Sequence, residues 1–287
     1  MQKCGFVTII GAPNAGKSTL TNLLVGTKIT IVSPKVQTTR SSIKAVLVED
    51  NTQLIFCDTP GIFKPKRNLE KMIVKNALDH IGDDMEIIYL IDAKKIASHD
   101  NEIILEYIRK LGRKIILVIN KIDKIIKDKL LPIISKYNEL GLFKEIFLIS
   151  AVKNLGVDDL KKYLLENAKE ENFFFPEDQL TDSPVRFIAE EITREKLFLF
   201  LQDELPYNLY VETDSYKEDV QGKIVIHQTI LVAKESQKKM IIGEGGKMLK
   251  KVGMAARKEI AEFLGEKKLQ LFLHVKKSYD FDAKFKI

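Results

Sequence analysis

The chain has 287 residues, of which 45% are hydrophobic and 30% charged, and this composition is typical of a globular protein and excludes a disordered or fibrous one. No apolar run reaches the ~18–20 residues that a membrane-spanning helix needs. Two cysteines can form at most one disulfide bond, which cannot hold together a fold of this length, and so few cysteines fit a reducing compartment. The length favours two domains.

Short apolar runs alternate with longer segments of helical period through the first 172 residues. The apolar runs are Phe6–Ile10, Ala45–Val48, Leu54–Cys57, Ile87–Ile91, Ile115–Ile119 and Ile146–Ile149. The helical segments are Leu69–His80, Asp100–Leu111, Lys129–Asn138 and Val157–Glu166. Parallel strands covered by helices on both faces produce this pattern. The sequence therefore predicts an α/β domain with a mainly parallel sheet over residues 1–172.

The pattern changes after residue 172. Two prolines and several turn-forming residues favour a linker over residues 173–185. Beyond it, the periodicity predicts a helix, two strands, two helices and a final strand, in the order α-β-β-α-α-β. We therefore expect a second domain, of the α+β class, over residues 186–287.

A glycine-rich loop follows the first predicted strand and precedes a predicted helix. It matches the phosphate-loop pattern Gly-x-x-x-x-Gly-Lys-Ser, whose backbone N–H groups converge on phosphate oxygens. We expect Lys17 to reach the β- and γ-phosphates and the Ser18 hydroxyl to ligate Mg²⁺. The nucleotide-binding residues predicted in this segment are Gly11, Ala12, Pro13, Asn14, Ala15, Gly16, Lys17, Ser18 and Thr19.

Three further motifs follow other predicted strands. In Asp-Thr-Pro-Gly, Asp58 is placed to hold Mg²⁺ and the Gly61 N–H to meet the γ-phosphate. In Asn-Lys-Ile-Asp, we expect Asp123 to be a buried carboxylate that accepts hydrogen bonds from the ring N–H and amine of guanine, a pair that adenine lacks. In Ser-Ala, a weaker signal, the Ala151 N–H is expected to contact the base oxygen. These motifs predict nucleotide contacts at Asp58, Thr59, Pro60, Gly61, Ile62, Asn120, Lys121, Asp123, Ser150, Ala151 and Val152.

The four motifs together resemble those of the translation-factor-related GTPases, and the loop form Gly-x-Pro-Asn-x-Gly-Lys-Ser with Gln37-Thr38-Thr39-Arg40 is similar to the Era branch. The resemblance implies a P-loop GTPase fold in which Thr39, or alternatively Thr38, completes the Mg²⁺ shell. The implied metal ligands are Ser18, Thr39 and Asp58. The implied catalytic residues are Asn14, Lys17, Thr39 and Gly61.

Ile62 stands where many GTPases place the glutamine that orients the attacking water. Its side chain has no donor or acceptor and cannot do this. Arg40 is one candidate for the missing catalytic charge. The resemblance implies another, because related GTPases with an apolar residue here and asparagine at the position of Asn14 use a K⁺ ion beside the phosphates.

In the second predicted domain, residues 243–246 form a Gly-x-x-Gly turn between two predicted helices. Such a turn lets the protein backbone come close to about four nucleotides of single-stranded RNA, as in KH domains. The order α-β-β-α-α-β resembles that of a type II KH domain. Residues 234–258 hold eight Lys and Arg against two acidic residues, which accounts for the whole net charge of +6. The predicted RNA-binding residues are Lys239, Ile241, Ile242, Gly243, Glu244, Gly245, Gly246, Lys247, Lys250 and Lys251.

A KH domain after a GTPase domain is the architecture of the Era family. The resemblance implies a switch that hydrolyses GTP to GDP slowly, binds the 3′ end of small-subunit (16S) rRNA and acts in assembly of the 30S ribosomal subunit. It also implies a cytoplasmic monomer, and leaves peripheral association with the inner membrane face open. Two alternatives remain: a nucleotide-dependent RNA-binding adaptor with negligible turnover, and a P-loop ATPase in which Asp123 is incidental.

Overall fold

The computed structural model describes residues 1–33, 43–63, 82, 84–201, 209–265 and 267–278. Within these ranges the contacts divide the chain into two compact units. The first contains the described residues of 1–30 and 43–182, and the second contains residues 31–33 and those described from 183 onward. The expected sites therefore fall into separate units, with the phosphate loop in the first and the Gly-x-x-Gly turn in the second.

The first unit is built on one sheet in which parallel strands predominate. Its strands are β1 (Lys3–Ile10), β2 (Ile43–Glu49), β3 (Thr52–Asp58), β4 (Glu86–Asp92), β5 (Ile115–Asn120), β6 (Phe143–Leu148) and β7 (Lys169–Glu170). Their order is β2-β3-β1-β4-β5-β6, with β7 beside β1. Among the described pairs, β2–β3 and β1–β7 are antiparallel and the others are parallel. The predicted mainly parallel sheet is confirmed.

The described helices of this unit pack on the sheet through one apolar side. They are α1 (Lys17–Val25), α2 (His99–Lys110), α3 (Leu130–Glu139) and α4 (Val157–Glu166). In α2, Ile104 and Ile108 lie one turn apart and are buried in a core that contains Tyr89 of β4 and Leu117 of β5. Among the helices that the structure describes, none is long and apolar enough to cross a membrane.

Part of the segment expected to be a linker packs against the first unit. The backbone N–H groups of Phe174 and Phe175 both donate to Gln53 Oε1 at 2.9 Å. Further along, the Thr181 hydroxyl donates to the Lys44 carbonyl at 2.7 Å. These partners lie on β3 and β2, so residues 174–181 run beside these two strands. A composition rich in turn formers does not reveal this, because the partners lie more than 100 residues away.

The second unit places three helices on one face of a three-stranded sheet. Its elements are α5 (Val185–Phe200), β8 (Leu209–Glu218), β9 (Ile224–Val232), α6 (Glu235–Ile242), α7 (Lys247–Phe263) and β10 (Leu269–Lys277). The middle strand β9 is antiparallel to β8 and parallel to β10. Alternate residues such as Ile224 and Ile226 are buried in a core shared with Ile192 of α5 and Ile260 of α7. The predicted order α-β-β-α-α-β is confirmed.

Helix α5 also buries charges that its hydrophobic pattern does not indicate. Lys196 is 8% exposed, and its Nζ donates to Glu195 Oε2 at 2.7 Å and to Glu259 of α7. Burial disfavours the ammonium form, but the two carboxylates outweigh it and raise the pKa of Lys196. Removing Lys196 would leave two carboxylates without the ammonium that they share, so this group ties α5 to α7.

Candidate functional site

The phosphate loop lies between β1 and α1, and its glycines stand where a side chain has no room. A Cβ on Gly11 would lie 2.3 Å from the Leu90 carbonyl oxygen. Gly16 has φ 107°, and a Cβ there would lie 2.4 Å from Asn120 Nδ2. The loop is therefore packed between the ends of β4 and β5. Its backbone N–H groups and the start of α1 form a cradle suited to an anion.

Lys17 lies folded into this loop. Its Nζ donates to the carbonyl oxygens of Gly11 and Ala12, each at 3.2 Å, and the side chain is buried. Burial lowers the pKa of Lys17 to about 8, and the nearby Asp58 carboxylate offsets part of that effect. A phosphate would supply the negative charge that the buried ammonium lacks, which favours anion binding here.

Ser18 and Asp58 bring two hard oxygen ligands together at the start of α1 and the end of β3. The Ser18 hydroxyl donates to Asp58 Oδ2 at 2.7 Å, and Asp58 is fully buried. In the described part of the chain, no group of three or more His, Cys, Asp and Glu could hold a metal ion. A pair of oxygen ligands beside a phosphate loop fits Mg²⁺, which takes most of its shell from phosphates and water. The third predicted ligand, Thr39, and its alternative Thr38 lie outside the described residues, as does Arg40.

The segment after β3 contacts the phosphate loop through its backbone. The Thr59 hydroxyl donates to the Ile9 carbonyl at 2.7 Å, and the Ile62 N–H donates to the Gly11 carbonyl at 3.0 Å. A Cβ on Gly61 would lie 2.9 Å from Pro13 atoms. The Ile62 side chain is 1% exposed and belongs to the core beside α2. The backbone of residue 62 therefore contacts the loop, and its side chain lies in the core.

Asn120, at the end of β5, holds three loops together. Its Nδ2 donates to the Ala15 carbonyl at 2.9 Å, and its Oδ1 accepts from the N–H groups of Lys121 at 2.8 Å and Ala151 at 3.0 Å. The Ala151 N–H, predicted to contact a base oxygen, thus donates to Asn120 here. Ala151 is buried and the next residue, Val152, is 80% exposed.

Asp123 is paired with Ser150 across the same edge of the sheet. The Ser150 hydroxyl donates to Asp123 Oδ1 at 2.6 Å, and this hydrogen bond is the main cause that lowers the pKa of Asp123. The carboxylate is therefore ionised and oriented at neutral pH. It is exposed, contrary to the expectation of a buried group, because the loops beside it leave its outer side open.

Asp92 is a site residue that no sequence motif marks. It ends β4, is 9% exposed, and its Oδ2 lies 2.7 Å from Lys121 Nζ. Lys121 Nζ also donates to the Asn14 carbonyl at 2.5 Å, and both Asn14 and Lys121 adopt a left-handed conformation, with φ 61° and 64°. Asp92 therefore fixes the lysine that clamps the phosphate loop. The available signal was its position, since it ends a strand at the same edge as Asp58 and Asn120.

Replacing Asp92 by Asn is expected to speed the release of bound GDP by roughly 10-fold, because the partly buried Lys121 ammonium loses its charged partner. Stopped-flow displacement of a fluorescent GDP analogue measures the rate. Asp159→Asn, on the exposed side of α4, is the matched control and should release GDP at the original rate. Equal release rates for all three proteins would show that Asp92 does not hold the loop.

The Gly-x-x-Gly turn of the second unit requires glycine for two different reasons. A Cβ on Gly243 would lie 2.8 Å from Met248 Cβ, so this position is sterically closed. Gly245 and Gly246 have room for a Cβ, because no atom lies within 4 Å of it. Their φ angles of 57° and 76° are left-handed, however, and this conformation favours glycine. The turn thus presents bare backbone to solvent between α6 and α7.

A groove of about 500 Å³ runs from this turn between α7 and the edge strand β10. Its lining residues are Gly246, Leu249, Lys250, Gly253, Met254, Arg257, Leu271, Phe272 and Leu273. A Cβ on Gly253 would lie 3.4 Å from Leu273 Cδ1, so this glycine keeps the groove floor close to the strand. An apolar floor beside cationic side chains is suited to bases and phosphates of a single strand.

The predicted RNA-binding residues divide between this surface and the core. Lys239, Lys247 and Lys250 are exposed around the turn. Lys251 lies with its Nζ 4.4 Å from the centre of the Phe200 ring. Ile241 departs from the expectation, because its side chain is fully buried among the core residues of the unit, while Ile242 is only partly buried. The remaining predicted members, Glu244 among them, form the turn itself.

Comparisons with known proteins match both units. The model of the family described as 50S ribosome-binding GTPase matches residues 6–121, and the KH domain model matches residues 204–278. The chain is similar to GTPase Era of Bradyrhizobium sp. (strain ORS 278), with 47% identity over 96% of this chain and 89% of the relative. It is 46% identical to GTPase Era of Brucella suis biovar 1, over 96% of this chain and 88% of that relative.

Two solved structures cover nearly the whole chain. A crystal structure of Era in complex with MgGDPNP and nucleotides 1506–1542 of 16S ribosomal RNA has a TM-score of 0.92 and 38% identity, over 99% of this chain and 97% of that one. A variant of Aquifex aeolicus Era bound to GDP and AlF4⁻ matches with the same TM-score, identity and coverage.

Proposed function

The chain belongs to the Era family of GTPases, and from this membership we propose that it binds and hydrolyses GTP in its first unit and binds the 3′ end of 16S rRNA in its second. The observation that carries the nucleotide half is Asn120, which joins the phosphate loop, the Asn-Lys-Ile-Asp loop and the Ser-Ala loop within 3.0 Å. A relative solved with Mg²⁺, a GTP analogue and 16S rRNA supports both halves.

In the proposed reaction, water attacks the γ-phosphate and GDP leaves. Lys17 binds the phosphates, and the Gly61 N–H is proposed to donate to the γ-phosphate and hold it in line. Ser18 and Asp58 would hold Mg²⁺, which would neutralise part of the phosphate charge when bound. Asp123 selects guanine. No side chain at position 62 orients the water, since Ile62 is buried in the core. Slow intrinsic turnover is therefore expected.

A phosphate-release assay tests this function most directly. The purified chain with Mg²⁺ and GTP is expected to release phosphate over many turnovers, and ATP is expected not to compete. Binding of GTP with no phosphate release, in the presence or absence of RNA, would instead support a nucleotide-dependent adaptor. Competition by ATP at equal concentration would support a P-loop ATPase.

We further propose that K⁺ speeds hydrolysis through Asn14. The Asn14 backbone is held in a left-handed conformation, with φ 61°, by the bond from Lys121, and amide oxygens are ligands suited to K⁺. Single-turnover hydrolysis is expected to be about 10-fold faster in KCl than in NaCl of equal ionic strength, a small part of what an arginine finger supplies.

Asn14→Ala should remove this difference between the two salts. Asn14→Gly is the control for backbone strain, because glycine adopts the left-handed conformation freely and also lacks the side chain. Both variants should respond equally to K⁺ and Na⁺. Hydrolysis that remains faster in K⁺ with either variant contradicts a role for the Asn14 side chain.

The RNA half of the proposal places the chain in assembly of the 30S subunit. The exposed glycine turn, the adjoining groove and the lysines around them support binding of single-stranded RNA. Crosslinking of the GTP-bound protein in cells, followed by sequencing of the attached RNA, should recover the 3′ end of 16S rRNA. Nucleotide is proposed to act by population shift, so the rRNA affinity should differ between GDP and a non-hydrolysable GTP analogue.

We also propose that the protein acts as a monomer in the cytoplasm, where ribosomal subunits are assembled. Peripheral contact with the inner membrane face is a separate proposal. Sedimentation with and without vesicles that contain anionic lipid tests both. A monomeric sedimentation coefficient without vesicles supports the first, and co-sedimentation supports the second.

A further inference from the structure

The face of the second unit's sheet that the helices do not cover carries an exposed aromatic pair. Phe272 of β10 and His227 of β9 are register neighbours, and their rings stack with centroids 4.7 Å apart and an interplanar angle of 16°. Phe272 is 50% exposed, and His227 is exposed too. Leu271 and Leu273, on either side of Phe272, belong to the cores under the helices. The aromatic pair therefore points to the opposite face.

Phe272 lies where this face meets the groove. In the described part of the sheet, β10 pairs only with β9, so it is an edge strand. The groove is lined by Leu271, Phe272 and Leu273 of that strand. An RNA strand that leaves the groove across β10 therefore reaches the Phe272 ring first, with no other described element between them.

The charges on this face favour a path along β10. Side chains alternate along a strand, so His274 and Lys276 share the face of Phe272 at steps of about 7 Å, and both are exposed. On the far strand β8, Glu212 and Asp214 lie on the same face, since Glu212 is opposite Thr229 in the register and Asp214 Oδ2 accepts from the Thr229 hydroxyl at 2.7 Å. The phosphates of a strand are attracted to the β10 side and repelled from the β8 side.

We propose that Phe272, stacked on His227, forms a base-stacking subsite for a nucleotide that flanks those held in the groove. This inference rests on the proposed RNA binding of the second unit. A KH groove holds about four nucleotides, so a longer strand must continue over one end of it. Stacking on an exposed ring accepts any base, because every base has a π-face. The stacked His227 holds the Phe272 ring in place before RNA arrives, which lowers the ordering cost of binding.

The test uses the full-length protein and two RNA probes from the 3′ end of the 16S rRNA of its own organism, one of four nucleotides that fills the groove and one of nine that extends past it. Fluorescence anisotropy measures both affinities. Phe272→Ala is expected to weaken binding of the nine-nucleotide RNA between about 5-fold and 150-fold. The four-nucleotide RNA should lose much less affinity, because it meets Phe272 only at the rim of the groove. An abasic nucleotide at one position outside the groove should produce the same loss with the original protein.

Two further variants separate stacking from loss of apolar surface. Phe272→Leu keeps an apolar side chain without a ring and should behave as Phe272→Ala, whereas Phe272→Tyr should bind as the original protein does. Equal affinities of the original protein and all three variants for the longer RNA would overturn the subsite, as would an equal loss for both probes. Failure of the original protein to bind either probe would refute the proposed RNA binding itself, which distinguishes the two failures. Thermal unfolding midpoints of the variants confirm that each is folded.

Discussion

Asp123→Asn is expected to lower GTP affinity on the order of 1,000-fold. The ionised carboxylate offers two acceptors to the ring N–H and the amine of guanine, and an amide can satisfy only one of these and turns its own donor toward the other. The structure supports the ionised form, because the hydrogen bond from Ser150 lowers the pKa of Asp123. Titration with a fluorescent GTP analogue measures the loss.

The same variant should gain affinity for xanthosine triphosphate. Xanthine replaces the guanine amine by a carbonyl oxygen, which accepts from the new Asn amide, so the preference between the two bases should reverse. Glu139→Gln, which removes an exposed carboxylate at the end of α3, is the control and should keep the original preference for GTP. Unchanged GTP affinity in Asp123→Asn would mean that Asp123 does not read the base, as the ATPase alternative requires.

Gly245→Asp is expected to weaken binding of the 16S rRNA 3′ end roughly 100-fold, because it places a carboxylate where the RNA backbone approaches the turn. The fold should survive, since an added Cβ at Gly245 meets no atom within 4 Å and aspartate tolerates a left-handed φ better than most residues. Fluorescence anisotropy with the nine-nucleotide RNA measures the affinity, and the effect should be larger at low salt.

Gly245→Asn is the matched control, because it has the same shape and backbone preference without the charge. It should lose much less affinity than Gly245→Asp, and both variants should bind GTP as the original protein does. Equal losses in the two variants would show that the turn is sensitive to side-chain volume alone. Full RNA affinity in Gly245→Asp would contradict the assignment of this turn to RNA binding.

The parts of the site that could be predicted from sequence are those in which a sequence motif directly follows a predicted strand. The phosphate loop, Asp58 and Asp123 each follow an apolar run, and the carboxyl ends of parallel strands meet at one edge. The role of Asp92 could not be predicted, because a single aspartate at a strand end does not belong to a recognisable motif. Its role depends on Lys121, 29 positions away, reaching it at 2.7 Å.

Side chains inside a recognised motif were harder to assign than the motif itself. Ile62 lies in a segment predicted to bind nucleotide, and Ile241 lies in a segment predicted to bind RNA. The side chains of both are nevertheless buried in cores. An apolar residue next to a binding loop can face either side, and the choice depends on the helix or strand that packs above it. Hydrophobic periodicity over four residues cannot distinguish these outcomes.

The amino-acid sequence alone determines the two-unit plan of this protein, its parallel sheet, its guanine-nucleotide motifs and the concentration of its net charge around one glycine turn, because each depends on residues that are close together in the chain. The burial of Ile62, the clamp from Asp92 through Lys121 to Asn14, and the stacked pair of Phe272 and His227 depend on the folded structure. Each joins residues from separate strands or loops, and such contacts arise only when the sheet sets their register.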